Sequence, residues 1–296
     1  MPGSPRYTAH EALVRPARVQ KELWRLIAGL GLAVAVSFTG SAALYGAASA
    51  VWPGPWLDGL AGGKNPAALL LLLGGFGFVI LGVALAARLL HRRGLFSVTG
   101  PPRVLVRQFG QVAAALLLLS GALMLLPPYG MEAPLEPNLP VMRWLALLPL
   151  SLSGVLIQVS AEEILFRGYI QQALAARFRQ TWVWLWLPAA LFAFGHYLPA
   201  EAGENAVIIA LWAGLFGFLM ADLTARAGTL GPAIAVHFFN NAAALLIAAS
   251  PTSLSGLALY LMPFEMSDTG ALRPWLAVDA ALMLVSWLAA RLAIRR

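Results

Sequence analysis

Eight apolar runs, spaced along nearly the whole chain, constrain its fold more than any other feature. They cover roughly residues 26–51, 66–87, 108–127, 142–160, 182–198, 206–225, 229–249 and 274–292. Crossing a hydrocarbon core takes about 20 apolar residues at about 1.5 Å each, so every run is a candidate transmembrane helix. The composition agrees: with 60% hydrophobic and 11% charged residues and a mean hydropathy of +0.76, water is not the main solvent. No polar block is large enough for a separate soluble domain. The predicted fold class is therefore all-α: a polytopic membrane bundle of about eight transmembrane helices, with a segment over 1–25 ahead of one transmembrane domain over 26–296.

Lys and Arg orient such a bundle, because positive loops stay on the cytoplasmic side. Arg6, Arg15, Arg18, Lys21 and Arg25 precede the first run, whereas the next connection holds only Asp58 and Lys64. The alternation continues. Arg88, Arg92, Arg93, Arg103 and Arg107 mark an inside loop, and Glu132 and Glu136 an outside one. Arg177, Arg179 and Arg226 fall inside, Glu201, Glu204, Glu265 and Asp268 outside, and Arg291, Arg295 and Arg296 inside. Both termini are expected to be cytoplasmic, with 1–25 a cytoplasmic segment. The first run is too long for a secretory signal despite Ala48-Ser49-Ala50, and reads as an uncleaved anchor. Segment 252–264, apolar but broken by Pro263, is expected to lie along the outer interface. Trp182, Trp184 and Trp186 suit an aromatic belt. The net charge of +7 sits in short clusters that suit the anionic inner leaflet, not nucleic acid. Without cysteine, disulfides and thiolate metal sites are excluded.

Ionisable groups are costly at membrane depth, so those near apolar runs are the candidates for chemistry. In a helix, Glu163 and Arg167 stand four apart on one face and can pair. Glu162, rotated by about 100°, is the freer carboxylate and the better base. The structural alternative is that both glutamates complement a helix N-terminus. His196 closes an apolar run, where an interfacial histidine would also be at home. His237 lies within a run with Asn241 one turn later, an arrangement that also serves helix-to-helix hydrogen bonding.

If the chain reverses near Gln180, Glu162 is eighteen residues before the turn and His196 sixteen after it, which brings them nearly level. His196 would then lie about 15 Å deep and His237 about 12 Å. A carboxylate beside a neutral imidazole can orient a water and take its proton, a task for Glu162 and His196. His237 and Asn241 can donate to the oxyanion of a tetrahedral intermediate. Glu162, His196 and His237 also match the donors of a catalytic zinc site, although no His-Glu-x-x-His helix is present; the sequence permits zinc without requiring it. No serine stands in a nucleophile elbow.

Three motifs follow in order: Glu-Glu-x-x-x-Arg at Glu162, Glu163 and Arg167, Phe-x-x-x-His at Phe192 and His196, and His-x-x-x-Asn at His237 and Asn241. With them the chain resembles the CPBP intramembrane proteases, the family of CAAX prenyl-protein endopeptidases and bacterial bacteriocin-processing or immunity proteins. The resemblance covers about residues 142–250. It implies an eight-helix core with a cavity open to the cytoplasm and to lipid, in which Glu162 and His196 activate water and His237 and Asn241 stabilise the oxyanion, with Glu163 and Arg167 in support. Both metal-dependent and metal-independent mechanisms have been described for the family. Its eukaryotic members cleave behind a prenylated cysteine. The Ala, Leu, Arg and Gly-rich composition looks bacterial, where such substrates are not expected; the chain is expected in a bacterial inner membrane, acting on a membrane-associated or lipid-modified polypeptide. The alternatives are a non-catalytic scaffold or immunity-type binding protein, and a proton-relaying transporter, against which the absence of repeat symmetry argues.

Overall fold

A computed structural model describes residues 5–51, 60, 62–126 and 134–295. Asp58, Glu132 and Arg296, three of the charges that orient the loops, lie outside the described residues, as does residue 127 at the end of the third run.

Each predicted run centres on a helix: α1 (Leu23–Val51), α2 (Pro66–His91), α3 (Pro102–Met124), α4 (Val141–Arg177), α5 (Thr181–Gly195), α6 (Pro199–Ala227), α7 (Gly231–Ile247) and α8 (Thr269–Ala293). All but α5 and α7 are long and apolar enough to cross a membrane. Several starts are written in the sequence. Asn65 caps α2 by accepting from the Ala68 amide at 2.9 Å, with Pro66 at the first helical position, and Asp268 caps α8 through the Gly270 and Ala271 amides.

Small residues set the helix spacing, since lipid supplies no hydrophobic drive for helices to associate. A Cβ on Gly82 of α2 would stand 2.7 Å from the Ala33 Cα of α1, and one on Gly217 of α6 would stand 3.1 Å from the Ala189 Cα of α5. The inner helices α6 and α7 bury about half of their residues, whereas α3 and α8 bury only a few.

Helix direction sorts the two ends of the bundle. The C-terminal ends of α2, α4 and α6 lie together with Arg92, Arg93, Arg177 and Arg226. At the opposite end, three short strands join β1 (Glu136–Pro137), β3 (Tyr260–Leu261) and β2 (Ala248–Ala249), with β1 antiparallel and β2 parallel to β3. Segment 252–264 forms no helix and helps to close this end: the Asn138 side chain donates to the Ser255 and Ala258 carbonyls, at 2.9 and 2.8 Å.

A strap over residues 5–20, with a helix at Glu11–Ala17, lies across the basic end. His10, Leu13, Val14 and Ala17 are buried there. The Tyr7 hydroxyl donates to Asp222 Oδ1 at 2.8 Å, and Asp222 is also bound by Arg226 and by the Trp287 indole. The strap changes the reading of the tryptophans. Trp182 and Trp186 are exposed, but Trp184 is buried against Tyr7 and His10 and is no part of a belt. Gly228 ends α6 at φ +70°, and a Cβ there would stand 2.5 Å from the Ala9 carbonyl oxygen. Glycine is needed for both reasons.

Burial pushes the His10 imidazole down from 6.5 to about 4, and Arg18 adds to the shift. Its Nε2 has no hydrogen-bond partner among the described residues. Between those two values the undocked strap binds the extra proton, so docking is intact above 6.5 and is lost as pH falls toward about 4. Hydrogen exchange over residues 11–17 is expected to rise, beyond its intrinsic pH dependence, on acidification from about pH 7 to about pH 5. A His10→Phe variant should lose that response.

Candidate functional site

The site begins with the length of α4. Its 37 residues span about 55 Å, well over a hydrocarbon core of about 30 Å, so its C-terminal part extends toward the basic end. Glu162 lies fifteen residues before Arg177, and His196 fifteen after Thr181, so the antiparallel α4 and α5 carry them at one level. α4 is an ordinary α-helix as far as Glu163. It then widens into a π-helix over Ile164–Gln171 and returns to α over Gln172–Arg177. α7 widens likewise at Ala243–Ile247, two residues after Asn241. Such wide turns recur at functional sites.

Glu163 and Arg167 form the centre. Their side chains are 0% and 1% exposed, and Arg167 Nη1 donates to Glu163 Oε1 at 3.0 Å. Arg167 Nη2 donates to the Gly217 carbonyl at 3.3 Å, and the guanidinium lies 4.7 Å from the Phe192 ring centre. His237 Nδ1 stands 2.8 Å from Glu163 Oε1. A carboxylate bound to a guanidinium only accepts, so this nitrogen carries a proton. α4, α5, α6 and α7 thus meet at one buried ion pair.

Glu162 faces elsewhere, as its rotation requires. It is 16% exposed, accepts from Gln158 Nε2 at 2.8 Å through Oε1, and holds Oε2 at 3.4 Å from His237 Nε2. Asn241 Nδ2 donates to Gln158 Oε1 at 2.9 Å, and Asn240 Nδ2 to Asn241 Oδ1 at 3.2 Å. The chain of contacts is therefore Asn240, Asn241, Gln158, Glu162, His237 and Glu163. His237 bridges the two carboxylates, while Asn241 reaches Glu162 only through Gln158.

His196 follows the last turn of α5. Its Nδ1 stands 2.8 Å from the Phe192 carbonyl, which can only accept, so Nδ1 carries a hydrogen and the lone pair of the neutral ring is on Nε2. His196 and Glu162 line one cavity of about 170 Å³ together with Phe76, Val79, Leu165 and Phe166. At about 30 Å³ per water, that space holds several. Phe192 explains the aromatic position of its motif: its ring centre is 4.4 Å from that of His196 and 6.1 Å from that of His237.

Residues 144–243 match the family model for type II CAAX prenyl endopeptidases of the Rce1-like kind. The chain carries an Rce1-like domain. Over 175 residues it is 31% identical to the uncharacterized protein YyaK of Bacillus subtilis (strain 168), a match covering 55% of this chain and 56% of the relative. The chain thus spans little more than half the length of that relative. No solved structure matches it.

The Rce1-like domain contains every candidate residue from Gln158 to Asn241. Sequence reasoning missed Gln158 and Phe216. Gln158, an amide inside an apolar run one turn before Glu162, was the one with a signal. Phe216 packs edge-on against His237 at 4.8 Å, and an aromatic among many apolar residues carries no such mark. The zinc donor set Glu162, His196 and His237 is not gathered. Among the described residues no three His, Asp or Glu side chains are placed to hold a metal ion. His237 turns both nitrogens to carboxylates and His196 gives Nδ1 to a carbonyl, so the arrangement does not fit a three-ligand zinc site.

Removing one partner of a buried ion pair strands the other. Arg167→Met is expected to cost about 3–5 kcal/mol of stability. Thermal unfolding in detergent measures it, and the double variant Glu163→Leu/Arg167→Leu should recover much of the loss.

Proposed function

We propose that this chain is an intramembrane endopeptidase that hydrolyses a peptide bond of a membrane-associated or lipid-modified polypeptide. The observation that carries the reading is one cavity lined by both Glu162 and His196, with Glu162 backed by Gln158 and His237. The Rce1-like domain match supports a peptidase.

In this reading a water lies between the Glu162 carboxylate and His196 Nε2. Glu162 takes its proton as the oxygen adds to the scissile carbonyl. The oxyanion accepts from His237 and from the second amide hydrogen of Asn241. The proton held by Glu162 then passes to the leaving nitrogen as the carbon–nitrogen bond breaks. Glu163 and Arg167 hold His237 in place.

Substrate access follows from the walls. A groove of about 390 Å³ runs along Leu30, Ala33, Val34, Ser37, Phe38 and Ser41 of α1 and shares Val79 and Leu165 with the cavity. An apolar or lipid-modified segment fits such walls. The same proposal places eight helical crossings in a bacterial inner membrane with both termini cytoplasmic, α5 and α7 being the shorter two. One observation favours a second reading, a non-catalytic scaffold or immunity-type binding protein: Gln158 already bonds both Glu162 and Asn241, with His237 3.4 Å from Glu162, and this cluster would brace helices without any reaction.

The test is cleavage of membrane-inserted peptides by the purified protein. Glu162→Gln and His196→Ala are expected to lower the rate by about 10²–10⁴-fold, and Asn241→Ala by about 10²–10³-fold. Chelator should leave the rate unchanged, whereas loss restored by zinc would mean that the donors regroup around a metal. Equal rates in wild type and all variants, with lowered unfolding temperatures, would favour the scaffold instead.

A further inference from the structure

A second polar cluster lies at the basic end, apart from the candidate site. α2 ends with Arg92 in the left-handed region at φ 51°, and the Arg93 amide reaches back to the Ala87 carbonyl at 3.0 Å. This reversal turns the chain so that Arg93 is only 8% exposed. Its Nη1 donates to Gln172 Oε1. The Gln172 amide nitrogen is committed to the Leu13 and Ser97 carbonyls, so Gln172 is tied to the strap.

The rest of that guanidinium is unsatisfied. Among the described residues, Nε and Nη2 of Arg93 are both buried without a hydrogen-bond partner. These two nitrogens form one edge of the planar fork, the geometry that binds two oxygens of a phosphate or carboxylate side by side. Burial pushes Arg93 down to about 10, so the group stays charged at neutral pH. Leaving such donors orphaned is costly, and structures that do so generally hold an unseen partner.

The surroundings say which partner. Trp24, Leu89 and Phe96 are exposed apolar side chains in this corner, and Arg25 stacks on Trp24 and donates to the Leu90 carbonyl at 2.6 Å. Arg88 and Arg92 add charge. Apolar and basic side chains side by side mark the level of lipid headgroups. We propose that the Nε and Nη2 edge of Arg93 is an anion site for the phosphate of an acidic phospholipid, closed in this form by the strap bound to Gln172.

The full chain, stripped of lipid in neutral detergent, can be titrated with phosphatidylglycerol, phosphatidylcholine and inorganic phosphate while binding and unfolding temperature are followed. Phosphatidylglycerol is expected to bind and raise the unfolding temperature, with the other two much weaker, and to increase hydrogen exchange over residues 11–17 of the strap. Arg93→Met should weaken that binding about tenfold or more, since a hydrogen bond to a charged group carries that factor. Arg93→Lys, which keeps the charge but not the two-nitrogen edge, should fold and lose most of the response, a second route should Arg93→Met fail to fold. Undiminished binding in either variant, equal binding of phosphatidylcholine, or no binding would overturn the site. A response to inorganic phosphate matching that to phosphatidylglycerol would overturn the lipid as its source, and unchanged strap exchange would overturn the strap as its cover.

Discussion

A buried ion pair governs the middle of this bundle. Glu163 and Arg167 have no access to water, so each depends on the protein for every bond that water would have supplied. Gly217 gives a carbonyl from α6, Phe192 a ring face from α5 and His237 a donor from α7. Meeting all three fixes the rotation of α4 about its axis. Glu162, the adjacent residue, is thereby aimed at the cavity it shares with His196. Glu162 owes its direction to the carboxylate beside it.

Much of the architecture was legible because lipid leaves a chain few choices. The apolar runs mark helices since a spanning segment must be long and apolar, and the four-residue step from Glu163 to Arg167 predicts their pairing directly. The level placement of Glu162 and His196 followed from counting residues on either side of a turn. Where two helices are short, as in α5 and α7, composition says that they are apolar but not how they sit.

What stayed hidden depends on partners remote in sequence. The strap reads as a charged tail, yet His10, Leu13, Val14 and Ala17 are buried, and Trp184 is buried with them. Only the left-handed Gly228, pressed against the Ala9 carbonyl, hints at the contact, and that requires the fold. Gln158 was hidden for a different reason: an amide inside an apolar helix is visible, but its joining Asn241 to Glu162 depends on how α7 packs against α4.

The widened turn at Ile164–Gln171 has a mechanical consequence. An unbroken α-helix has a single phase, so the residues that face the cavity would dictate which residues face the basic end two turns later. The π segment resets that phase. Upstream, α4 can be shaped by water, carbonyl and imidazole. Downstream, Gln172 and its neighbours can be shaped by whatever holds the strap. One continuous rod thus answers to two masters, and a change at its far end can be absorbed at the widening before it turns Glu162 away from its cavity.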